Sequence, residues 1–273
     1  MLQHPMERLR RQAPLVHCIT NYVTVNDVAN MLLACGASPV MADAPEEAGT
    51  FSGSGCLYLN LGTLNRRTVD AMYLAGRANA ERGRPILLDP VGVGATDFRM
   101  QTARALLRDL PIAAVRGNAS EIRALADMGG QVGGVDASAA DAVTDETVGR
   151  AAAFACALSA RLGTVVSFSG PIDIIADRGA AYAVRNGVAR MPRITGSGCM
   201  LSGVVAALIA AHPEQVLEAT VTAYAAMGLC GEIAEAALRE GEGTGSFRAR
   251  MIDAMSLLDD AQLERGRRVQ RVI

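Results

Sequence analysis

Two carboxylates, one guanidinium and one thiol stand out in this sequence because each follows or opens an apolar run. Asp89 comes directly after Ile86-Leu87-Leu88 and begins Asp89-Pro90-Val91-Gly92-Val93-Gly94. Arg116 follows the run from Ile112 to Val115, and Glu121 stands a little further on in Arg116-Gly117-Asn118-Ala119-Ser120-Glu121. Cys199 closes the turn Thr195-Gly196-Ser197-Gly198 and opens an apolar stretch to Leu208. A glycine-rich turn running into a helix presents unpaired backbone N–H groups and the positive end of the helix dipole, which together favour an anion. Taken singly, each residue has an ordinary reading as well. Asp before Pro suits a turn, a first-turn Glu suits a helix cap, and an Arg at a strand end suits a surface ion pair. Taken together they fit phosphoryl transfer, where positioning and charge neutralisation outweigh covalent chemistry. Mg²⁺ keeps several waters and takes one or two carboxylates plus phosphate oxygens, so Asp89 and Glu121 suffice as its protein ligands.

What is missing narrows the chemistry. All 26 basic residues are Arg. A Walker A loop, a protein-kinase strand lysine and Schiff-base chemistry all need a lysine amine and are excluded. Any phosphate must be held by Arg, backbone N–H groups or a metal ion. Gly92-Val93-Gly94 fails as a dinucleotide fingerprint, because the third glycine is absent. The six cysteines form no CxxC pair, so they predict reduced thiols in a cytosol rather than a zinc site. The net charge of -2 offers no footprint for nucleic acid or a membrane surface. The N-terminal MLQHPMERLRRQ does not read as a signal peptide, and Met200 to Ala211 is too short for a membrane span.

These residues need a scaffold, and the hydrophobic pattern supplies one. Short apolar runs predict strands at Leu15–Ile19, Pro39–Met41, Leu57–Leu61, Ile86–Leu88, Ile112–Val115, Thr164–Phe168 and Ile172–Ala176. Helical spacing predicts helices at Val25–Cys35, Thr68–Arg82, Gln101–Leu110, Ser120–Met128 and Ala139–Leu162. Three more follow at Cys199–Ala211, Glu214–Arg239 and Phe247–Leu263, with Pro213 at a first helical turn. Gly129 to Gly134 reads as a surface loop and the arginine-rich end after Arg265 as a solvated tail. Alternating strands and helices followed by a helical last third predict an α/β fold with a mostly parallel central sheet, one domain over residues 1–273. In such sheets ligands sit beyond the carboxyl ends of the strands, where Thr20-Asn21, Asp89, Arg116 and Ser169-Gly170 all fall.

The stretches ITNYVTVNDVANMLLACGASPVMADAPEEA, NLGTLN, DPVGVGAT, RGNASEI, FSGPIDII and ITGSGCMLSG, in this order, resemble the hydroxyethylthiazole kinases of the ribokinase-like superfamily. The resemblance implies a three-layer α/β/α sandwich and ATP- and Mg²⁺-dependent phosphorylation of the alcohol of 4-methyl-5-(2-hydroxyethyl)thiazole, a step of thiamine salvage. Residue by residue it implies thiazole contacts at Asn21, Met41 and Gly196, ATP contacts at Arg116, Ser169 and Gly198, and Mg²⁺-side carboxylates at Asp89 and Glu121. It puts Cys199 at the substrate hydroxyl, where related kinases carry Asp. Ser169 and Ser197 stand where the family more often shows Thr. A cytoplasmic homotrimer is also implied, with residues near Asn21 and Met41 meeting Gly196 and Cys199 of another chain. At a helix N-terminus the Cys199 thiol is expected to be pulled down toward neutrality, with ATP phosphates close by pushing it back up.

Three other readings compete. Hydroxymethylpyrimidine kinases and enzymes repairing hydrated nicotinamide cofactors share the superfamily, but the segments at ITNYVTVND and PVMADAPEEA resemble the thiazole side. A cysteine-nucleophile hydrolase would need His17 as base, yet His17 lies in an apolar strand pattern with no third orienting residue in view. A non-catalytic binder would not need Asp89, Glu121 and the glycine-rich turn together.

Overall fold

The computed structural model describes residues 1–127 and 143–273. In chain order the elements begin α1 Pro5–Gln12, β1 Leu15–Ile19, α2 Val25–Cys35, β2 Ser38–Val40, α3 Pro45–Ala48, β3 Cys56–Asn60, α4 Arg66–Glu81, β4 Ile86–Asp89 and α5 Asp97–Asp109. They continue with β5 Ile112–Asn118, α6 Ala119–Asp127, α7 Val148–Leu162, β6 Val165–Ser169, β7 Asp173–Asp177 and β8 Ala180–Val184. The last third holds α8 Ser197–Ala211, α9 Val216–Ala236, α10 Thr244–Leu257, α11 Asp260–Gly266 and β9 Val269–Arg271. The strands form one sheet in the order β2-β1-β3-β4-β5-β6-β7-β8-β9. Pairings from β2 through β6 are parallel and those from β6 to β9 antiparallel.

Strand alternation divides the interior into two cores, one on each face of the sheet. Cys18, Tyr58, Leu87, Ala114 and Val165 point to the face covered by α1, α2, α8, α9 and α10. Ile19, Leu59, Leu88, Val115 and Val166 point to the opposite face, under α4 to α7. Because successive side chains in a strand alternate, this parity continues to the carboxyl ends. Asn60, Asp89 and Arg116 therefore share the α8 face. That helix is apolar all round and buried nearly throughout, as expected of a helix inside a core. Its neighbour α9 is long and apolar enough to cross a membrane, but 72% of that stretch is buried within the fold.

Several elements differ from the sequence expectation. The charged N-terminal segment forms α1, which buries Met6 and Leu9 at helical spacing. The arginine-rich end is not a free tail: β9 adds to β8 at the sheet edge. The predicted helix Phe247–Leu263 is two helices, because the Asp259 side chain accepts from the Gln262 N–H and starts α11 with a capping box. Pro213 lies in the turn between α8 and α9, not in a first helical turn. The helix predicted from Ala139 begins at Val148, and the proposed loop Gly129 to Gly134 lies outside the described residues.

Candidate active site

The parallel strands end together beneath the start of α8. Asn60 and Asp89 are register partners at the ends of β3 and β4. Asn118 and Ser169 are partners at the ends of β5 and β6. Above them the chain turns through Gly196, whose φ of 84° caps α8 in a left-handed conformation that favours glycine. A Cβ on Gly196 would also meet Thr24 Cγ2 at 2.6 Å.

Asp89 is fully buried. Its Oδ2 accepts hydrogen bonds from Ser202 Oγ at 2.7 Å, Tyr58 OH at 3.2 Å and Asn60 Nδ2 at 3.2 Å. Its Oδ1 is buried without a partner. Burial pushes the carboxyl up to about 6; Arg116 pulls it back and Glu121 pushes it further. A buried carboxylate oxygen with both lone pairs to spare needs a cation or a donor from a ligand.

Glu121 performs its ordinary role and stands at the site as well. Its Oε2 accepts from the Asn118 N–H at 2.8 Å while Asn118 Oδ1 accepts from the Glu121 N–H at 2.9 Å, a reciprocal cap on α6. Its Oε1 accepts from the Gly92 N–H at 2.9 Å and so fixes the loop after Asp89. Each oxygen keeps a second lone pair.

Arg116 is buried, and its Nη2 donates to Ser169 Oγ at 2.6 Å. Its Nη1 presses on Gly198 in the first turn of α8. The three residues expected to meet ATP are thus adjacent, and Ser169 supplies the hydroxyl that a Thr would.

Cys199 is buried, and its Sγ accepts from Asn21 Nδ2 and Asn60 Nδ2, each at 3.4 Å. Asn21 is oriented through its Oδ1, which accepts from the Thr24 N–H and Oγ1, both at 3.1 Å. Burial first, and then Asp89, pushes the thiol above its ordinary value, while donors from Thr24, Asn21 and Asn60 pull it partway back. The expected lowering at the helix N-terminus is therefore corrected: desolvation and a nearby carboxylate outweigh the dipole.

A second correction concerns Asn21 and Cys199, which the resemblance places in neighbouring chains. Asn21 meets Cys199, and Thr24 underlies Gly196, within a single chain. Met41 is half-buried just after the edge strand β2, packed against the core cluster that includes Cys199. The loop it enters is held by His17, whose Nε2 lies 2.7 Å from the Ala42 carbonyl. His17 is a buried histidine whose pKa is lowered by desolvation, not a base beside Cys199.

Sequence reasoning did not single out Tyr58, Asn60 or Ser202. Asn60 ends the run before Leu61-Gly62, one strand over from Asp89, and Ser202 sits one turn after Cys199. Both signals are parity and helical spacing, and they become visible only once the neighbouring strand is known.

The sequence profile of the Hydroxyethylthiazole kinase family matches residues 6–261. The chain belongs to the hydroxyethylthiazole kinase family. A hydroxyethylthiazole kinase from Clostridium acetobutylicum is 46% identical over 272 residues, covering 99% of each chain. A solved hydroxyethylthiazole kinase protein from Pyrococcus horikoshii OT3 superposes with a TM-score of 0.86 at 32% identity, covering 98% of each chain. A ribokinase-like superfamily protein from Enterococcus faecalis shares the fold at 12% identity, with a TM-score of 0.57 over 92% of this chain and 88% of that one. Membership in the hydroxyethylthiazole kinase family makes this chain a kinase on a ribokinase-like scaffold, with ATP as co-substrate.

Proposed function

We propose that this kinase transfers the γ-phosphoryl group of ATP to the primary alcohol of 4-methyl-5-(2-hydroxyethyl)thiazole. The observation that carries the reading is the convergence of Asp89, Arg116 and Cys199 under the first turn of α8 in a chain whose family match spans residues 6–261. The thiazole lies beside Asn21, Met41 and Gly196, and its hydroxyl at Cys199. The phosphates lie between Arg116, Ser169 and the N–H groups from Gly196 to Cys199, which act as the anion hole.

The alcohol oxygen attacks the γ-phosphorus, forming the new O–P bond. The bond from that phosphorus to the β,γ-bridging oxygen breaks, and ADP leaves with the electron pair. The transition state is loose, so the hydroxyl proton departs late, to solvent. Cys199 holds its own proton and aligns the hydroxyl. Arg116 and the α8 amides stabilise the charge spread over the phosphoryl oxygens.

The carboxylates fit a divalent cation, because Asp89 Oδ1 is buried with no partner and Glu121 lies close enough to raise the Asp89 carboxyl. These two would hold Mg²⁺, which when bound neutralises phosphate charge. Residues 1–273 work as one domain in this reading. Six free buried cysteines favour a cytoplasmic setting. A homotrimer would cover Tyr22 and Val23, which are exposed beside Asn21. ADP release with Mg²⁺-ATP and each of two alcohols tests the substrate. Release with the thiazole alcohol alone is expected; release with hydroxymethylpyrimidine alone would overturn the substrate and keep the kinase.

A further inference from the structure

Asn60 is buried at the end of β3, and its amide is occupied on every side. A primary amide has two N–H donors and two acceptor lone pairs. Oδ1 accepts from the Gly62 N–H at 2.9 Å and from Asn21 Nδ2 at 3.0 Å, so both lone pairs are used. That fixes which way the amide faces, because a flipped amide would set N–H against N–H. The two Nδ2 protons are then shared among three acceptors, Tyr58 OH at 2.9 Å, Asp89 Oδ2 at 3.2 Å and Cys199 Sγ at 3.4 Å, so that one N–H is bifurcated.

Tyr58 accepts from Asn60, so its own proton is turned to Asp89 Oδ2 at 3.2 Å or to the Cys199 carbonyl at 3.3 Å. Both choices tie β3 either to the carboxylate or to the first turn of α8. Moreover, Asn60 and Ser202, joined by Tyr58 in the first of its two orientations, donate to Oδ2, which leaves Oδ1 as the bare face of Asp89. Among the described residues, Asn60 is the one side chain that hydrogen-bonds to the side chains of both Asp89 and Cys199. It also bonds to Asn21, which reaches the same sulfur from the other side.

We infer that Asn60 is a positioning residue for phosphoryl transfer: it locks the Cys199 thiol and the Asp89 carboxylate in one fixed arrangement, so that the thiol meets the hydroxyl while Oδ1 faces the phosphoryl side. The inference rests on the reading that Cys199 lies at the substrate alcohol. An amide suits the task because it donates to a thiol and a carboxylate at once and carries no charge at any working pH. Groups that orient a reacting residue commonly change activity by about 10- to 100-fold when removed.

The test is a double-mutant cycle on the full chain with Asn60→Ala, Cys199→Ala and the pair, reading kcat and the KM values for ATP and for the alcohol. Asn60→Ala is expected to lower kcat by about 10- to 100-fold and to leave KM for ATP unchanged, because Arg116 and Ser169 are untouched. In the Cys199→Ala background the same change is expected to cost much less, since its main target has gone. Asn60→Asp keeps the shape but loses the donors and faces Asp89 with a second acid, so it is expected to fall below Asn60→Ala. Asn60→Ser restores one donor in a smaller side chain and serves if the alanine variant folds poorly; its kcat should lie between alanine and wild type. An unchanged kcat in Asn60→Ala, a parallel rise in KM for ATP, or equal losses with and without Cys199 would overturn the inference. Full turnover by Cys199→Ala would instead remove the reading of Cys199, and with it the basis for Asn60 acting through the thiol.

Discussion

Arg116 Nη1 lies 2.7 Å from the point where a Cβ on residue 198 would sit. The guanidinium and the first turn of α8 are therefore in direct contact, and glycine is the residue that lets them meet. Arg116 cannot retreat easily, since its strand is paired on both sides and its Nη2 is bonded to Ser169. Gly198→Ala is expected to displace the guanidinium and raise KM for ATP about tenfold. Overpacking of this kind costs roughly 1–3 kcal/mol of stability. Steady-state kinetics beside a thermal melt would check both, and an unaltered KM for ATP would separate Arg116 from nucleotide binding.

Asp89 carries a stability cost that substitution should reveal. Its carboxyl is raised from 3.8 to about 6 by burial, with Glu121 adding to the effect. A folded pKa above the unfolded one favours the fold while the group is protonated. This stability is fully present below about pH 4 and is lost as pH rises through about 6. A shift of this size corresponds to roughly 3 kcal/mol. Asp89→Asn should therefore melt at a higher temperature than wild type at pH 7 without ligands, while losing turnover. The gap should narrow as the pH is lowered toward 4. An asparagine variant that melts lower at pH 7 would contradict this account.

Cys199 is expected to behave as an aligning group. Burial and Asp89 hold the thiol protonated near neutrality, so kcat should show no rise between about pH 7 and 9 that disappears in Cys199→Ser. Serine should keep most turnover, and alanine should lose less than about 100-fold, the low end of what a general base supplies. A thiol-dependent rise in the pH profile would assign Cys199 the role of base.

Arg99 ties two site loops together. Its Nη2 donates to the Gly62 carbonyl at 2.7 Å, and its Nη1 fills the space over Gly92, where a Cβ would come within 2.0 Å. Gly62 in turn is wedged against Asn21, 2.9 Å from a Cβ placed there. Arg99→Ala should loosen Asn21 and raise KM for the alcohol several-fold, with a smaller effect on KM for ATP. Equal changes in both would show that the latch serves the whole site and not its alcohol side.

Much of this site was legible because strand ends carry their chemistry in sequence. Asp89, Arg116 and Ser169 each follow a short apolar run, and in a parallel sheet such positions gather at one edge. The family motifs supplied Asn21, Met41 and Gly196 in the same order. Strands β8 and β9 were not legible, because β8 is mostly alanine, which gives a weak strand signal, and β9 is a three-residue edge strand among arginines. The start of α11 was hidden by an apolar pattern that continues across Leu258 and is broken only by a side-chain cap at Asp259.

The sequence by itself determined the class of fold, the absence of lysine chemistry and the residue types available to bind phosphate. Those depend on composition and local period alone. Only the tertiary structure decided that Asn21 reaches Cys199 in the same chain across 178 positions, that Asn60 joins the thiol to Asp89, and that the thiol is raised instead of lowered. Register across strands and the burial of a charge are set by neighbours distant in sequence. The helix dipole can be read locally, but the desolvation that outweighs it cannot.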